Sequence, residues 1–591
     1  MGVIVTDMSP SIGTLLLLIL PIASPVPIGK PRCGVVDHDY SLAQRVEYKW
    51  KKKDLTFSIE NFEPKLMTWS TIRNTIRDCF EAYSAATNLT FQEVPKGQGD
   101  IQLKFVRGEH GCLTPFDGYG GVIAHAQFPE YGIVHFDADE KWMIMSANNL
   151  PGDTYNDFFD TAMHEIGHAL GLEHENDFYS VMYAFTRPPV DETGAYKKPK
   201  LDSVVIGKLQ RKYGTRDRSD ELCVDKLEWS TKDGQILVNG IPLVLKGINY
   251  HGFETEQFAP LGLTHQNLDV ILDVIKKNNF NVIQIPFSLE LARFDPDVNT
   301  VSCDLNPDLC ERNALRMLDI FIERAAKRGI LVALSNNQFY GNRTLLPNPL
   351  WYNSEYSEEM VTDIWSSLIY RYRNQWNVFA IDLKNEPNVG ATWGESDIKT
   401  DWNRAAERMI TNLSSFDGLF FIDGLSWGNN LAPAEEFPIN TKNESLNNRV
   451  VYTPHCYGPD VYVQPALNAP DFPDNLGELY MKRFGFLAKK GFPVVIGEWA
   501  SGTVPDSRDE QWSNFMIDWL RQNCLTNNFY WSLDPTSPWT KGLLHDDWLT
   551  PDPRKLELLD RLQPNPTKFE ARDGKICIIK GAFPEEQCQM Y

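Results

Sequence analysis

The sequence is short of positive charge. Lys and Arg number 57 against 79 Asp and Glu, a net charge of −22. A chain this acidic repels nucleic acid and anionic membrane surfaces, which excludes both as partners, and its charge keeps it soluble. No apolar run reaches the ~20 residues that a helix needs to cross a bilayer, so no transmembrane span is expected. Repeats and low-complexity tracts are missing. With 42% hydrophobic and 23% charged residues the composition is that of folded domains and argues against long disorder. A length of 591 residues is too great for one core, so at least two domains are expected.

The N-terminus lacks Lys and Arg ahead of its apolar run at residues 14–22, and it carries Asp7. Small residues and prolines follow the run. Despite the missing basic residues, 1–30 reads as a signal peptide cleaved within 23–30. Met1-Gly2 with Thr6 also fits a myristoylation pattern, which alone gives weak anchoring. Among ten cysteines, Cys303 with Cys310 and Cys577 with Cys588 are spaced for small disulfide loops. Sequons stand at Asn88, Asn342, Asn412 and Asn443. Together these features predict a secreted, extracellular protein.

A first break follows Gly214, with 215–224 as a short charged linker. A second lies near Pro564 and Pro566, leaving 564–591 as a tail. Between them strand-like runs fall at 242–250, 281–287, 330–334, 378–383, 419–422, 449–453, 493–496 and 529–532. Amphipathic helix patterns lie between most of them, at 268–277, 314–328, 358–373, 402–413 and 511–522. Eight strands alternating with helices over ~340 residues predict a (β/α)₈ barrel of the TIM type. A doubly wound open sheet is the alternative that the alternation alone allows.

The strongest chemical signal is Met163-His164-Glu165-Ile166-Gly167-His168-Ala169-Leu170-Gly171-Leu172-Glu173-His174. On a helix His164 and His168 share one face and can hold one ion. Gly171 can take positive φ and bring His174 round as a third ligand. Three imidazoles leave a fourth position open, as a catalytic zinc requires. Zinc lowers the pKa of water in that position, and Glu165 is placed to accept the proton.

Ser180-Val181-Met182-Tyr183 resembles the Met-turn of metzincins, with Met182 under the zinc pocket. Over residues 31–214 the chain resembles a matrix metalloproteinase (matrixin), with the metzincin α+β fold that this implies. Cys33, in Pro31-Arg32-Cys33-Gly34-Val35-Val36-Asp37, resembles the matrixin cysteine switch, whose thiolate fills the open zinc position; an ordinary disulfide half is the alternative. Residues 31–45 are then a propeptide remnant and 46–214 the protease domain. His110, His125 and His135 fall where the family has a structural zinc, with Cys112 in place of an Asp ligand. Asp117, Gly118, Gly120, Val122, Asp137 and Glu140 resemble the structural calcium site, the alternative being a turn with surface acids. There are departures. The long helical propeptide is not expected, since 32 residues precede Cys33, and the loop before His135 is short. Glu175 follows His174 where matrixins have Ser, and the barrel takes the place of a hemopexin-like domain.

In the barrel, Lys384-Asn385-Glu386-Pro387 ends the fourth strand and Gly497-Glu498-Trp499 the seventh. Catalytic groups sit at such strand ends. Two converging carboxylates make a glycosidase. The motifs over 225–563 resemble glycoside hydrolase family five in its cellulase-like branch. By that match Glu386 is acid/base and Glu498 nucleophile. Asn385, His455 and Tyr457 (of His455-Cys456-Tyr457) and Trp531 bind substrate, Trp531 as a stacking platform whose alternative role is core packing. Gln284 stands where the family has Arg, and Asn337 where it has His. The combined expectation is a secreted bifunctional hydrolase, a zinc endopeptidase fused to a retaining β-1,4-glucanase, with zinc and calcium as cofactors. Its partners are extracellular protein substrates and β-glucan. The alternative treats the barrel as an inactive carbohydrate-binding module.

Overall fold

The computed structural model describes residues 32–34, 48–62, 67, 69–94, 96–112, 114–147, 149–150, 155–191, 193–216, 221–341, 348–461, 464–502, 505, 507–538, 540–572 and 574–584. The expected leader and most of 31–45 lie outside these residues, as do Asn342 and Cys588. The chain forms two compact units, residues 1–218 and 219–591. Among the described residues no helix is long and apolar enough to cross a membrane.

The first unit is a sheet carrying helices. Its elements are β1 (Arg32–Cys33), β2 (Asp54–Ile59), α1 (Trp69–Ala86), β3 (Thr90–Glu93), β4 (Ile101–Val106), β5 (Val122–Ala126), β6 (Ile133–Asp137), α2 (Phe158–Ala169) and α3 (Ser203–Tyr213). The sheet runs β1-β5-β6-β4-β2-β3. Only the β5–β6 pair is antiparallel. β4 shows why it forms a strand: Ile101, Leu103 and Phe105 alternate into the core while Gln102, Lys104 and Val106 face the other way. α2 is different, since nearly every residue in it is buried. Such a helix lies at the centre of its domain. Its start is set by Asp157, whose carboxylate accepts the Asp160 N–H at 2.9 Å.

The second unit is a barrel. Its strands are β7 (Lys246–Asn249), β8 (Val282–Ser288), β9 (Leu331–Gln338), β10 (Val378–Asp382), β11 (Leu419–Ile422), β12 (Val450–Tyr452), β13 (His455–Tyr457), β14 (Ile496–Ala500) and β15 (Asn528–Tyr530). They form one parallel sheet in the order β12-β11-β10-β9-β8-β7-β15-β14-β13. A bridge between Tyr452 and Val494 closes it. This is the (β/α)₈ architecture. The expected strand at 449–453 corresponds to β12 alone; the same barrel position continues beyond it as β13, since Pro454 has no N–H to continue the ladder. Several outer helices start on side-chain caps: Asn267 for Leu268–Lys277, Ser357 for Glu358–Tyr372 and Ser507 for Arg508–Gln522.

The lower end of the barrel differs from expectation. Residues 221–224, read as linker, form a strand that pairs with Lys575–Ile579, which in turn pairs with Lys568–Arg572. Cys577 is bonded to Cys223 rather than to Cys588. The pairing needs a partner 354 residues away, which local spacing cannot reveal. Phe569, Ile576 and Ile578 join Trp229, Ile236 and Val238 in a cluster with the barrel-lining Phe379, Phe421 and Phe529. The tail strands thus plug the N-terminal ends of the barrel strands. Cys303–Cys310 is a short-loop disulfide, as its spacing implies.

Candidate active sites

In the first unit α2 and the turn after it bring three imidazoles together. Nε2 of His168 lies 3.0 Å from Nε2 of His164 and 3.2 Å from Nε2 of His174. Nitrogens bound to a tetrahedral zinc at about 2.0–2.1 Å stand about 3.3 Å apart, so the spacing fits. Nδ1 of His164 faces the Val181 carbonyl and Nδ1 of His168 the Leu172 carbonyl, both at 2.7 Å. Those carbonyls take the ring protons, so the Nε2 lone pairs face one another with no hydrogen between them. A cation resolves that clash. Burial, with the neighbouring imidazoles, pushes His164 down to about 3 and His168 well below its ordinary range, so both are neutral and able to ligate.

Local packing fixes this geometry. Gly171 sits at φ +83 with the Tyr48 carbonyl where a side chain would begin. A Cβ on Gly167 would come 2.5 Å from Met182 Sδ, so Met182 packs directly beneath the helix. Glu165 is fully buried, which pushes its carboxyl up to about 8 against a smaller lowering by the Cys33 thiol beside it. Cys33 completes the group: its Sγ is 3.5 Å from His168 Nε2.

A second cluster gathers His110, Cys112, His125 and His135, with one donor atom from each within 4.8 Å of the others. His110 Nε2 is 3.3 Å from His125 Nε2, and Cys112 Sγ is 3.4 Å from His135 Nδ1. Burial first, then mutual proximity, pushes His125 to about 4 and His135 to about 3. This donor set of three imidazoles and one thiol suits a closed zinc site.

The acids expected to hold calcium also meet. Glu140 accepts the Gly120 N–H, and Asp117 accepts the Val122 N–H at 3.0 Å. Asp137 Oδ2 is buried without a hydrogen-bond partner. Burial, strengthened by repulsion from Asp137 and Asp117, pushes Glu140 up to about 7. Gly118 and Gly120 take positive φ in the turn.

In the barrel the expected groups face one cleft of about 530 Å³. An oxygen of Glu386, after β10, and one of Glu498, on β14, lie within 4.8 Å of each other. His455 Nδ1 is 3.0 Å from Glu386 Oε1, and the Tyr457 hydroxyl donates to Glu498 Oε2. Burial, then repulsion from Glu386, pushes Glu498 up to about 8, although His455 opposes the shift. Asn385 Oδ1 is buried without a hydrogen-bond partner. Trp531 is half-buried, lines the cleft and stacks on His251 at 5.7 Å.

Comparison with known proteins follows the two units. The cellulase (glycosyl hydrolase family 5) model matches residues 239–537 and the matrixin model residues 49–210. An endoglucanase of Paenibacillus polymyxa is 33% identical over 366 residues, 59% of this chain and 90% of the relative. The chain belongs to glycosyl hydrolase family 5 and carries a matrixin domain. An endocellulase of Pyrococcus horikoshii, solved with cellotetraose, superposes with a TM-score of 0.54 at 33% identity, over 57% of this chain and 98% of that one. Matrix metalloproteinase-C of Caenorhabditis elegans is 40% identical over 185 residues, 31% of this chain and 32% of the relative. The chain thus spans about a third of the matrix metalloproteinases it matches.

Within the cellulase domain Gln284 is buried on β8, in register with Asn249 and Ala333. Asn337 lies on β9 and lines the cleft. Two buried groups were not singled out from sequence. Asp423, directly after β11, accepts the Glu386 N–H at 2.9 Å. Lys384 donates to the Asn385 carbonyl, and burial pushes its ammonium down to about 8. The signal for Asp423 was its place, an acid at the C-terminal end of a barrel strand.

Proposed function

We propose that the chain is a secreted hydrolase with two activities, a zinc-dependent endopeptidase in residues 46–214 and a retaining β-1,4-glucanase in residues 225–563. The convergence of three imidazole Nε2 atoms beside a buried carboxyl carries the first half. The close approach of Glu386 and Glu498 in one cleft carries the second.

In the matrixin domain His164, His168 and His174 would hold the catalytic zinc, with Cys33 as fourth ligand in a latent state. When bound, zinc supplies the Lewis acidity that makes water nucleophilic and polarises a peptide carbonyl. Glu165 takes the proton released and returns it to the leaving amine. Met182 and Gly167 hold the helix face against which the imidazoles are set. His110, Cys112, His125 and His135 would bind a structural zinc. Asp117, Asp137 and Glu140, with carbonyls of Gly118, Gly120 and Val122, would bind calcium, whose charge suits three crowded acids.

In the cellulase domain Glu498 attacks the anomeric carbon, with Tyr457 fixing one of its oxygens. Glu386 protonates the leaving oxygen and later deprotonates water. Carboxylates about 5 Å apart leave no room for water between them, so configuration is retained. Asn385 Oδ1 is an acceptor left open for a sugar hydroxyl, and Trp531 offers a face for a pyranose ring. The relatives named endoglucanase and endocellulase support a β-glucan as substrate. The leader-like N-terminus and the bonded cysteine pairs support secretion.

A second reading, favoured by Gln284 and Asn337, makes the cellulase domain a glycan-binding module without turnover. Assays of the full chain on gelatin and carboxymethyl cellulose, with and without chelator, separate these readings. Gelatin cleavage lost on chelation and glucan cleavage retained is the expected pattern. Glucan binding without release of reducing ends would establish the second reading.

A further inference from the structure

Gln284 leaves the two barrel glutamates without the cation that the family resemblance assigns to that position. Among the described residues one basic side chain, His455, lies within ion-pairing distance of either carboxylate. Its Nδ1 is 3.0 Å from Glu386 Oε1 and 3.5 Å from Glu498 Oε2. Its Nε2 is 3.2 Å from Asp423 Oδ2. The ring is buried. A neutral imidazole has one N–H and one lone pair. While Glu386 and Asp423 are both ionised, either neutral tautomer sets a lone pair against an anion. The imidazolium alone gives a proton to both sides.

Asp423 is fixed independently of that ring. Its Oδ1 accepts the Thr453 hydroxyl at 2.6 Å and its Oδ2 accepts the Glu386 N–H at 2.9 Å. It is buried and is not part of the cleft wall. It therefore acts on the reaction only through His455 and the Glu386 backbone.

We propose that Asp423 is a positioning residue that holds His455 as the imidazolium, and that this buried cation supplies Glu386 and Glu498 with the positive charge absent at Gln284. The proposal rests on the glucanase reading above. The surrounding charges agree with it. Asp382, Asp423, Glu386 and Glu498 face the ring region, with Lys384 as the other cation and Cys456 and Tyr457 as neutral neighbours. Burial acts to lower His455, yet Asp423 and Glu498 outweigh it and the ring is pushed well above its ordinary range. The same charge restrains the rise of Glu498, which without it would be protonated over a wider pH range.

The test uses the full chain with carboxymethyl cellulose as substrate. Asp423→Asn keeps the shape and the acceptor for Thr453 but removes the charge. We expect kcat to fall about 10- to 100-fold with little change in KM. The acid limb of kcat/KM should move to higher pH. Adding Gln284→Arg to Asp423→Asn should restore most of the lost rate. A loss of rate with an unmoved pH profile and no rescue by Gln284→Arg would overturn the proposal, as would an unchanged rate. Ring ¹⁵N shifts of His455, assigned by comparison with His455→Asn, read the charge without any assay. Both nitrogens should be protonated in the wild type at pH 8, and the ring should be neutral there in Asp423→Asn. A neutral ring in the wild type overturns the proposal. A charged ring in a chain with no turnover would leave the charge assignment standing and overturn the glucanase reading instead.

Discussion

Cys33 Sγ lies 3.5 Å from His168 Nε2, although 135 residues separate them in the chain. β1 makes this possible. It pairs with β5, and the Cys33 N–H donates to the Ala184 carbonyl at 3.0 Å, just beyond Met182. The thiol is thereby held against the point where the imidazoles converge. Cys33→Ser should raise gelatin cleavage by freshly purified full chain about 10-fold, since a hydroxyl is a poor zinc ligand. A thiol-reactive mercurial should activate the wild type and leave the variant unchanged. Equal initial rates in all samples would mean that this contact is no latch.

Zinc content gives a second test, independent of activity. Two donor clusters predict two zinc ions per chain by elemental analysis. Cys112→Ala should weaken the second site, so that less chelator removes its ion than in the wild type. The protease domain should then melt at a lower temperature, while Glu386 and Glu498 chemistry continues. An unchanged chelator dependence in the variant would remove Cys112 from the site.

Much of this was legible in the sequence because it was local. The His164–His174 spacing and the Asn385-Glu386 and Gly497-Glu498 strand ends each lie within a dozen residues. So do the alternating runs that became β7 to β12, β14 and β15. What was hidden depended on distance or on a backbone detail. Cys223 and Cys577 are 354 residues apart, and the strand at Glu221–Val224 forms only because Lys575–Ile579 returns to it. Pro454 splits one barrel position into two strands. Asp423 belongs to no motif, and its role appears only when β11 places it beside Glu386 and His455.

As the proposed nucleophile Glu498 would have to be ionised, and burial pushes its folded pKa up to about 8. Glucan hydrolysis should therefore rise with pH toward 8 and fall away below it. Gln284→Arg should move that acid limb to lower pH and raise the rate most at pH 5. The same shift affects stability with the opposite slope. The carboxyl's folded pKa lies above its ordinary 4.5, so its stabilising protonated form is present below that value and is lost as pH rises through 8. Glu498→Gln should thus raise the Tm of the barrel more at pH 8 than at pH 4.5. A Tm gain equal at both pH values would contradict the assignment of the raised pKa to this carboxyl.

The Cys223–Cys577 bond ties the first strand of the barrel unit to its last sheet. Replacing both residues by Ser should lower barrel stability by about 2–5 kcal/mol. Calorimetry should show this as a lower Tm for the transition that carries glucanase activity, with the protease transition unmoved. A fall in both transitions would indicate damage beyond the lost bond.

The central claim is that one chain holds two independent hydrolytic centres. Its most direct measurement is a crossed assay of three full-length proteins, wild type, Glu165→Ala and Glu498→Ala, on gelatin and on carboxymethyl cellulose. The wild type should cleave both. Glu165→Ala should lose about 10²- to 10⁴-fold of gelatin cleavage and keep glucan hydrolysis. Glu498→Ala should lose glucan hydrolysis and keep gelatin cleavage. Full activity surviving in the variant that lacks its own carboxyl, or either activity missing from the wild type, would contradict it.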